Sequence, residues 1–445
     1  MHSLTSTVYY TTIIVNIYVS LYLCGTPLSL AGTPTRQRPQ ALHRPGLDPR
    51  IESEVTMRLD RRWAGGAAAA LLTVTSLFWA TPSVAAPTAD ASALTEAVTA
   101  KLLGTARMSS AGAQQDTRIT VSRSSGRWAF GTAVAVAPRQ EDAHPTGSVF
   151  IARADRAGWR IAFDGEAAFG ELAAESPLVG AQERSVLTTT PSPLYAGGDY
   201  RTGMALPFGV GQTWTLTSGP HGWGGTESPY SSIDLAGGDQ VVRATRAGAA
   251  YTMCRGWIRV IHDRGYSTDY YHLWNSISVN GASVGQGAVL GNTGTDVTCG
   301  GAAYGRHVHF GLRQNSAYVP IAGHDIGKWV LANGGAAYQG GARHGSAFAG
   351  VGGGLYNYGA LGFNQGVVDA NGGGALTRRA GPGTGYGSLG SVGDGATVTI
   401  SCSANGTSHT GRYGTTALWN RLSDGSWVSD AYLSTGVNGP VNGWC

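Results

Sequence analysis

The chain has 445 residues, a formal net charge of +4, 13% charged and 42% hydrophobic residues. So small a charge, with no basic run, gives no footprint for nucleic acid, and no such partner is expected. The length suits roughly two or three domains with a sizeable core, and 68 glycines, against a usual share of about 7%, suit short strands joined by tight turns.

The first 56 residues do not read as folded protein. An apolar stretch from Tyr9 to Leu30 is interrupted by Asn16 and by Gly25-Thr26-Pro27, which makes it a poor membrane anchor. A Pro/Arg-rich run from Thr33 to Arg50 follows. Residues 1–56 are therefore read as a disordered, over-extended N-terminus, with translation starting at Met57. Residues 57–86 read as a signal peptide: Arg58, Arg61 and Arg62 precede an apolar run from Ala64 to Ala80, and Val84-Ala85-Ala86 forms a small-residue cleavage site. A secreted protein with no membrane association in its mature form is expected. Cys24 is lost with this region, leaving Cys254, Cys299, Cys402 and Cys445, an even number that fits an oxidising compartment. Four cysteines allow three pairings, and sequence proximity favours Cys254 with Cys299 and Cys402 with Cys445.

Residues 87–190 combine a helix over Ala91–Leu103 with alternating, strand-like segments at Arg118–Ser122, Trp128–Ala137, Gly147–Ala152 and Trp159–Phe163. No cluster of His, Cys and carboxylate stands out there, and its place after a signal peptide suits an α+β pro-region or accessory domain. Residues 191–346 form a second, mainly β block with segments at Val241–Ala244, Gly256–His262, Thr268–His272, Ser283–Leu290 and His307–Leu312. Residues 347–375, with Gly352-Gly353-Gly354 and Gly372-Gly373-Gly374, read as a Gly-rich linker. Residues 376–445 form a compact third block.

Chemistry concentrates in the second block. In Arg306-His307-Val308-His309-Phe310-Gly311 the two histidines stand two apart in an apolar run, so a strand would present both on one face. Alone, such a pair is more often an incidental surface feature. The block also holds His221 in Gly219-Pro220-His221-Gly222-Trp223, Asp234 in Ser231-Ser232-Ile233-Asp234, and His272 in Tyr270-Tyr271-His272. A catalytic zinc needs three ligands from His and Asp/Glu plus an open position. The helical His-Glu-x-x-His signature is absent, so ligands would have to come from separate strands. His262, in Ile261-His262-Asp263, looks locally like His272 but is assigned to structure, as are His324, His344 and His409.

Over roughly residues 200–345 this order of motifs resembles the catalytic domain of the β-lytic and staphylolytic metalloendopeptidases, relatives of lysostaphin. The resemblance rests on His221, then Ser231-Ser232-Ile233-Asp234, then Tyr270-Tyr271-His272, then Gly305-Arg306-His307-Val308-His309-Phe310. It implies one zinc per chain on His221, Asp234 and His309. His272 and His307 would be catalytic without ligating, and Tyr338 would stand near the oxyanion. It also implies a Cys254–Cys299 disulfide. Such a site hydrolyses a peptide bond with a metal-activated water, the two histidines assisting proton transfer.

In the third block, Gly393-Asp394-Gly395 and Asp424-Gly425 turns between Val/Ile-containing segments predict a small β-barrel. It resembles a bacterial SH3-like cell-wall-binding domain. Tyr386, Tyr413, Trp419, Trp427 and Trp444 are its candidate ligand-stacking aromatics, with Trp419 and Trp427 expected in the core. The expected whole is mainly β, an antiparallel-sheet zinc peptidase plus an SH3-like barrel behind an α+β pro-region. Its expected partner is peptidoglycan, cut at glycine-containing cross-bridges by a monomer. The rival readings are a zinc endopeptidase for stem peptides or glycine-rich proteins, and a non-catalytic peptidoglycan-binding protein.

Overall fold

Leu94, Val98 and Leu102, spaced four apart on helix α1 (Ala91–Ala106), form one apolar stripe. The stripe packs on a four-stranded antiparallel sheet of β1 (Thr117–Ser125), β2 (Trp128–Ala135), β3 (Thr146–Asp155) and β4 (Gly158–Phe163), in that order. The computed structural model describes residues 91–106, 116–188 and 198–445; the readings of 1–56 and 57–86 fall outside them. Two short helices, α2 (Ala167–Glu175) and α3 (Ala181–Leu187), close this block. They are too short for periodicity to announce them.

The second block is built on a nine-stranded sheet. In chain order its region contains β5 (Arg201–Met204), β6 (Thr213–His221), β7 (Ser232–Ala236), β8 (Val241–Arg243), β9 (Gly248–Cys254), β10 (Trp257–Ile261) and β11 (Tyr266–Tyr271). Then come β12 (Asn280–Val284), β13 (Val289–Asn292), β14 (Val308–Gln314) and β15 (Ala317–Tyr318). The last are β16 (Asp325–Ile326), β17 (Trp329–Asn333), β18 (Gly340–His344), β19 (Ala347–Gly350) and β20 (Gly354–Tyr356). The large sheet runs β12-β9-β10-β11-β14-β7-β6-β20, with β15 added to β14. A five-stranded sheet, β19-β18-β17-β16-β5, lies beside it, and β13 pairs with β8. The stretch Ser283–Leu290, read as one strand, is two: β12 and β13 belong to different sheets, separated at Gly285 to Ala288, where Gly287 takes a φ of 82°.

Strand alternation gives the large sheet two different faces. Ile233, Leu235, Ala250, Ile258, Val260, Tyr270, Val308, Phe310 and Leu312 fill the main core on one side. The opposite face carries Tyr251, Met253, Trp257 and Tyr271, which pack with Phe130, Val149, Ile151, Phe169 and Leu172 of the first block. The first block therefore covers a face of the nine-stranded sheet and is not a separate bead. Polar contacts cross the same boundary: buried Asp164 accepts from Arg259 and Arg313, at 3.5 and 3.2 Å, and Glu183 accepts from Tyr251 Oη at 2.6 Å. Arg259 is itself clamped by Asp269, at 2.9 and 3.0 Å through its Nε and Nη2.

Residues 347–375 are not a linker. β19 extends the five-stranded sheet, β20 pairs with β6, and β21 (Gln365–Val368) opens the C-terminal sheet. Leu355 is fully buried in the main core, and buried Asn357 donates to the carbonyls of Leu206 and Phe208. The glycines here serve tight turns between paired strands. The C-terminal block continues with β22 (Ala375–Arg379), β23 (Ser388–Gly393), β24 (Thr397–Gly411), β25 (Gly414–Leu422), β26 (Trp427–Ser429) and β27 (Leu433–Ser434). These run β23-β22-β26-β25-β24-β21-β27. Both disulfides, Cys254–Cys299 and Cys402–Cys445, are present. Among the described residues no helix is long and apolar enough to cross a membrane.

His262 is fully buried between the Ala247 carbonyl, 2.9 Å from Nδ1, and the Thr268 hydroxyl, 2.8 Å from Nε2. Burial pulls its pKa from 6.5 down to about 4. Between those values the unfolded chain binds the extra proton, so this residue makes stability rise with pH and be lost as pH falls through that window. His262→Gln should flatten the pH dependence of urea-unfolding stability there by about 1.4 kcal/mol per pH unit. An unchanged slope would mean that His262 does not fold in its neutral form.

Candidate metal centre and cleft

β14 lies between β11 and β7, and its register places His309 directly opposite Asp234 on β7 and Tyr271 on β11. Val308 and Phe310 point into the core, so His309 projects to the other face, as does Asp234 between Ile233 and Leu235. His221 ends β6, the next strand beyond β7. Two register irregularities, between Leu216 and Ser218 and between Ser218 and His221, shift that strand as it reaches the site. The result is a group of His221, Asp234 and His309 whose ligand-type atoms all lie within 4.8 Å of one another. His309 Nδ1 is 2.9 Å from Asp234 Oδ1 and 3.2 Å from His221 Nε2, and His221 Nε2 is 3.8 Å from Asp234 Oδ2.

The remaining ring nitrogens decide what this group can hold. His221 Nδ1 lies 2.8 Å from the Gly219 carbonyl and His309 Nε2 lies 3.2 Å from the Trp223 carbonyl. A carbonyl only accepts, so His221 Nδ1 carries the proton and its Nε2 presents a lone pair; His309 faces an acceptor at both ring nitrogens, and its tautomer protonated on Nε2 turns a second lone pair toward Asp234. In that tautomer two lone pairs and a carboxylate converge with no donor among them. That arrangement is repulsive when left alone and fits a divalent cation, with the outer-shell carbonyls that metal-bound histidines ordinarily have. Burial opposes ionisation of Asp234, yet its pKa is lowered well below the usual carboxylate range by His221, His307 and His309, which attract and bond the carboxylate when they carry a proton on the facing nitrogen. Burial lowers the pKa of His221, so it is neutral near pH 7.

His272 and His307 flank this group. His272 follows β11 and takes a φ of 67°. His307 precedes β14 and is held by paired backbone bonds to Gly294. Their rings are 4.8 Å apart. Each fixes Nδ1 on a carbonyl, His272 on Asp296 at 3.0 Å and His307 on Gly305 at 2.8 Å, which leaves both Nε2 atoms as acceptors. Burial, then the neighbouring His307 and His309, lower the His272 pKa well below 6.5. Tyr338 also has a φ of 67°, and its backbone is clamped to Gly219 and Pro220 at the end of β6. Its ring lies 4.3 Å from that of His221. Burial and adjacent Asp142 raise its pKa, so the hydroxyl stays protonated. Left-handed backbone at two non-glycine residues beside one cleft is strain of the kind concentrated at functional sites.

All six residues singled out in the sequence line one cleft of about 480 Å³. Three other lining residues come from the first block: Glu141, Asp142 and His144. The sequence reading found no chemistry there. His144 Nε2 is 3.3 Å from His272 Nε2, its ring stacks on His309 at 4.3 Å, and Asp142 accepts from Tyr338 Oη at 2.6 Å. A readable signal existed: two acids and a histidine fall within four residues, in a loop bracketed by Pro138 and Pro145.

Residues 229–320 match the model of peptidase family M23. Protease LasA of Pseudomonas aeruginosa is 32% identical over 139 residues, covering 29% of this chain and 33% of LasA. The β-lytic metalloendopeptidase of Lysobacter enzymogenes is 28% identical over 149 residues, covering 31% of this chain and 83% of that protein. The solved structure of pseudoalterin, titled a novel M23 metalloprotease from the deep sea, is 28% identical, with 34% of this chain and 97% of that chain covered and a TM-score of 0.33. The chain spans about a third of the length of LasA.

Titration of the metal-free chain with zinc, followed by calorimetry, should show about one site, the number a single three-ligand group provides. His309→Ala should weaken it by more than about 100-fold, beyond the loss typical of an outer-shell partner, whereas His272→Ala should leave it within a few-fold. Equal losses would put His272 among the ligands.

Proposed function

Because the chain carries a peptidase family M23 domain, we propose that it is a secreted zinc endopeptidase that cuts peptide bonds in bacterial peptidoglycan, at glycine-containing cross-bridges. The observation that carries this reading is the convergence of His221, Asp234 and His309 beside two histidines, His272 and His307, whose Nδ1 atoms donate to carbonyls and whose Nε2 atoms are the acceptors. Two imidazoles and a carboxylate suit zinc among the common divalent metals. A bound zinc would supply Lewis acidity to polarise the scissile carbonyl and acidify a water molecule.

The side chains supply the rest. His272 is neutral at pH 7 and its Nε2 faces the cleft, so it can take a proton and return it to the departing amine. His307 shares that tautomer, and its Nε2 stands 3.9 Å from Asp234. The Tyr338 hydroxyl, held protonated, can donate to the oxygen on which negative charge develops. Glycine in the substrate would let the peptide backbone approach groups that lie deep in the cleft, where bulkier side chains would be turned away.

The 87–190 block is proposed as a pro-region, and residues 376–445 as an SH3-like wall-binding domain. Trp419 is buried and Trp427 half-buried. Tyr386, Tyr413 and Trp444 are exposed and available to a ligand. A monomer exported through residues 57–86 completes the reading.

Clearing of glycine-bridged cell walls and cleavage of an oligoglycine peptide test it. Once the cleft is accessible, His272→Ala should reduce kcat by about 10²–10⁴ with metal content kept, and Tyr338→Phe by about 10²–10³. Metal bound at the site without hydrolysis of either substrate would reject glycine bonds as the target. Tyr386→Ala combined with Trp444→Ala should weaken sedimentation with purified walls by about tenfold or more, the loss expected of aromatic contact residues; unchanged sedimentation would assign wall binding elsewhere.

A further inference from the structure

The geometry points to residues Arg139–Pro145 of the first block acting as an internal plug that holds the cleft closed by capping His272 and Tyr338. The inference rests on the catalytic reading of those two residues. The loop joins β2 to β3, and its consecutive side chains meet the cleft in order. Glu141 bonds the Tyr304 hydroxyl, Asp142 accepts from Tyr338 Oη at 2.6 Å, and His144 Nε2 lies 3.3 Å from His272 Nε2. Since His272 Nδ1 donates to the Asp296 carbonyl, its Nε2 is the acceptor and His144 Nε2–H is the donor. The lone pair that would take a proton is therefore already engaged, and so is the hydroxyl that would face a developing oxyanion. The capping bonds go to the two groups outside the His221/Asp234/His309 set.

The fit extends to the backbone. Ala137 N donates to the Cys299 carbonyl and Gly301 N donates to the Pro138 carbonyl, both at 3.0 Å. Trp223 Nε1 donates to the Pro145 carbonyl at 2.7 Å. A Cβ on Gly301 would stand 2.4 Å from the Ala143 carbonyl oxygen, and one on Gly225 would stand 2.6 Å from the Asp142 Cα. Both glycines are on the peptidase side, and their missing side chains are the space in which the plug runs. The seat also has a flaw. His144 Nδ1 is buried with no hydrogen-bond partner among the described residues, a cost that the closed state carries and an open one would not. The plug is thus specific in its contacts yet disposed to leave.

The test is chemical labelling of His272 with diethyl pyrocarbonate on the full chain, mapped by mass spectrometry, beside hydrolysis of an oligoglycine peptide. In the parent chain His272 is fully buried and should label slowly. D142A/H144A should label it about tenfold faster or more, as expected when a closed state loses roughly two hydrogen bonds, and should raise hydrolysis by a similar factor. Asp142 is exposed, so D142A alone serves if the double variant does not fold, and should give a smaller increase in the same direction. A folded variant that labels no faster than the parent overturns the plug. Faster labelling without hydrolysis in any variant keeps the plug and overturns the catalytic reading instead.

Discussion

The candidate centre depends on one cross-strand register. His309 on β14 faces Asp234 on β7 and Tyr271 on β11. A slip of one residue would turn His309 into the core and bring Val308 or Phe310 to the cleft, since side chains alternate faces with period two. The core resists that slip. Val308, Phe310 and Leu312 on β14, with Ile233 and Leu235 on β7, are all buried on the same side. The hydrophobic effect acting on one face thus sets the position of imidazole and carboxylate on the other. The candidate metal donors are held by apolar packing to which they contribute nothing.

The face that carries the site is also where the first block docks. Tyr251, Met253 and Trp257 would leave a broad aromatic and thioether surface uncovered without Phe130, Ile151 and Phe169. Arg259, fully buried and paired with Asp269, would lose the neighbouring Asp164. A buried ion pair of this kind is costly to break from one side, so the block and the sheet are energetically joined. The loop between β2 and β3 gains its precision from that docking: a ten-residue excursion anchored at both ends by paired strands can place two side chains in a cleft within hydrogen-bonding distance.

The legible part of the site was carried by short-range pattern. His307 and His309 two apart in an apolar run predict a shared strand face, and the structure has their side chains on the cleft side. Asp234 and Tyr271-His272 sit in or directly after strands that flank β14. The misread parts share another cause. Residues 347–375 looked like a spacer because glycine is common to flexible chains and to tight turns alike; burial of Leu355 and Asn357 decides between them, and burial is not written in composition. Ser283–Leu290 looked continuous because the break at Gly285 to Ala288 shows only once its two ends pair in different sheets.

The sequence by itself determined the mainly β character, the ligand-type residues and their order along the chain, because strand alternation and side-chain chemistry are local properties. Only the tertiary structure decided that His221, Asp234 and His309 converge, and that Asp142 and His144 close over His272 and Tyr338. Those contacts join residues 75 to 196 positions apart. Separations of that size are closed by the packing of whole sheets, which no local pattern encodes.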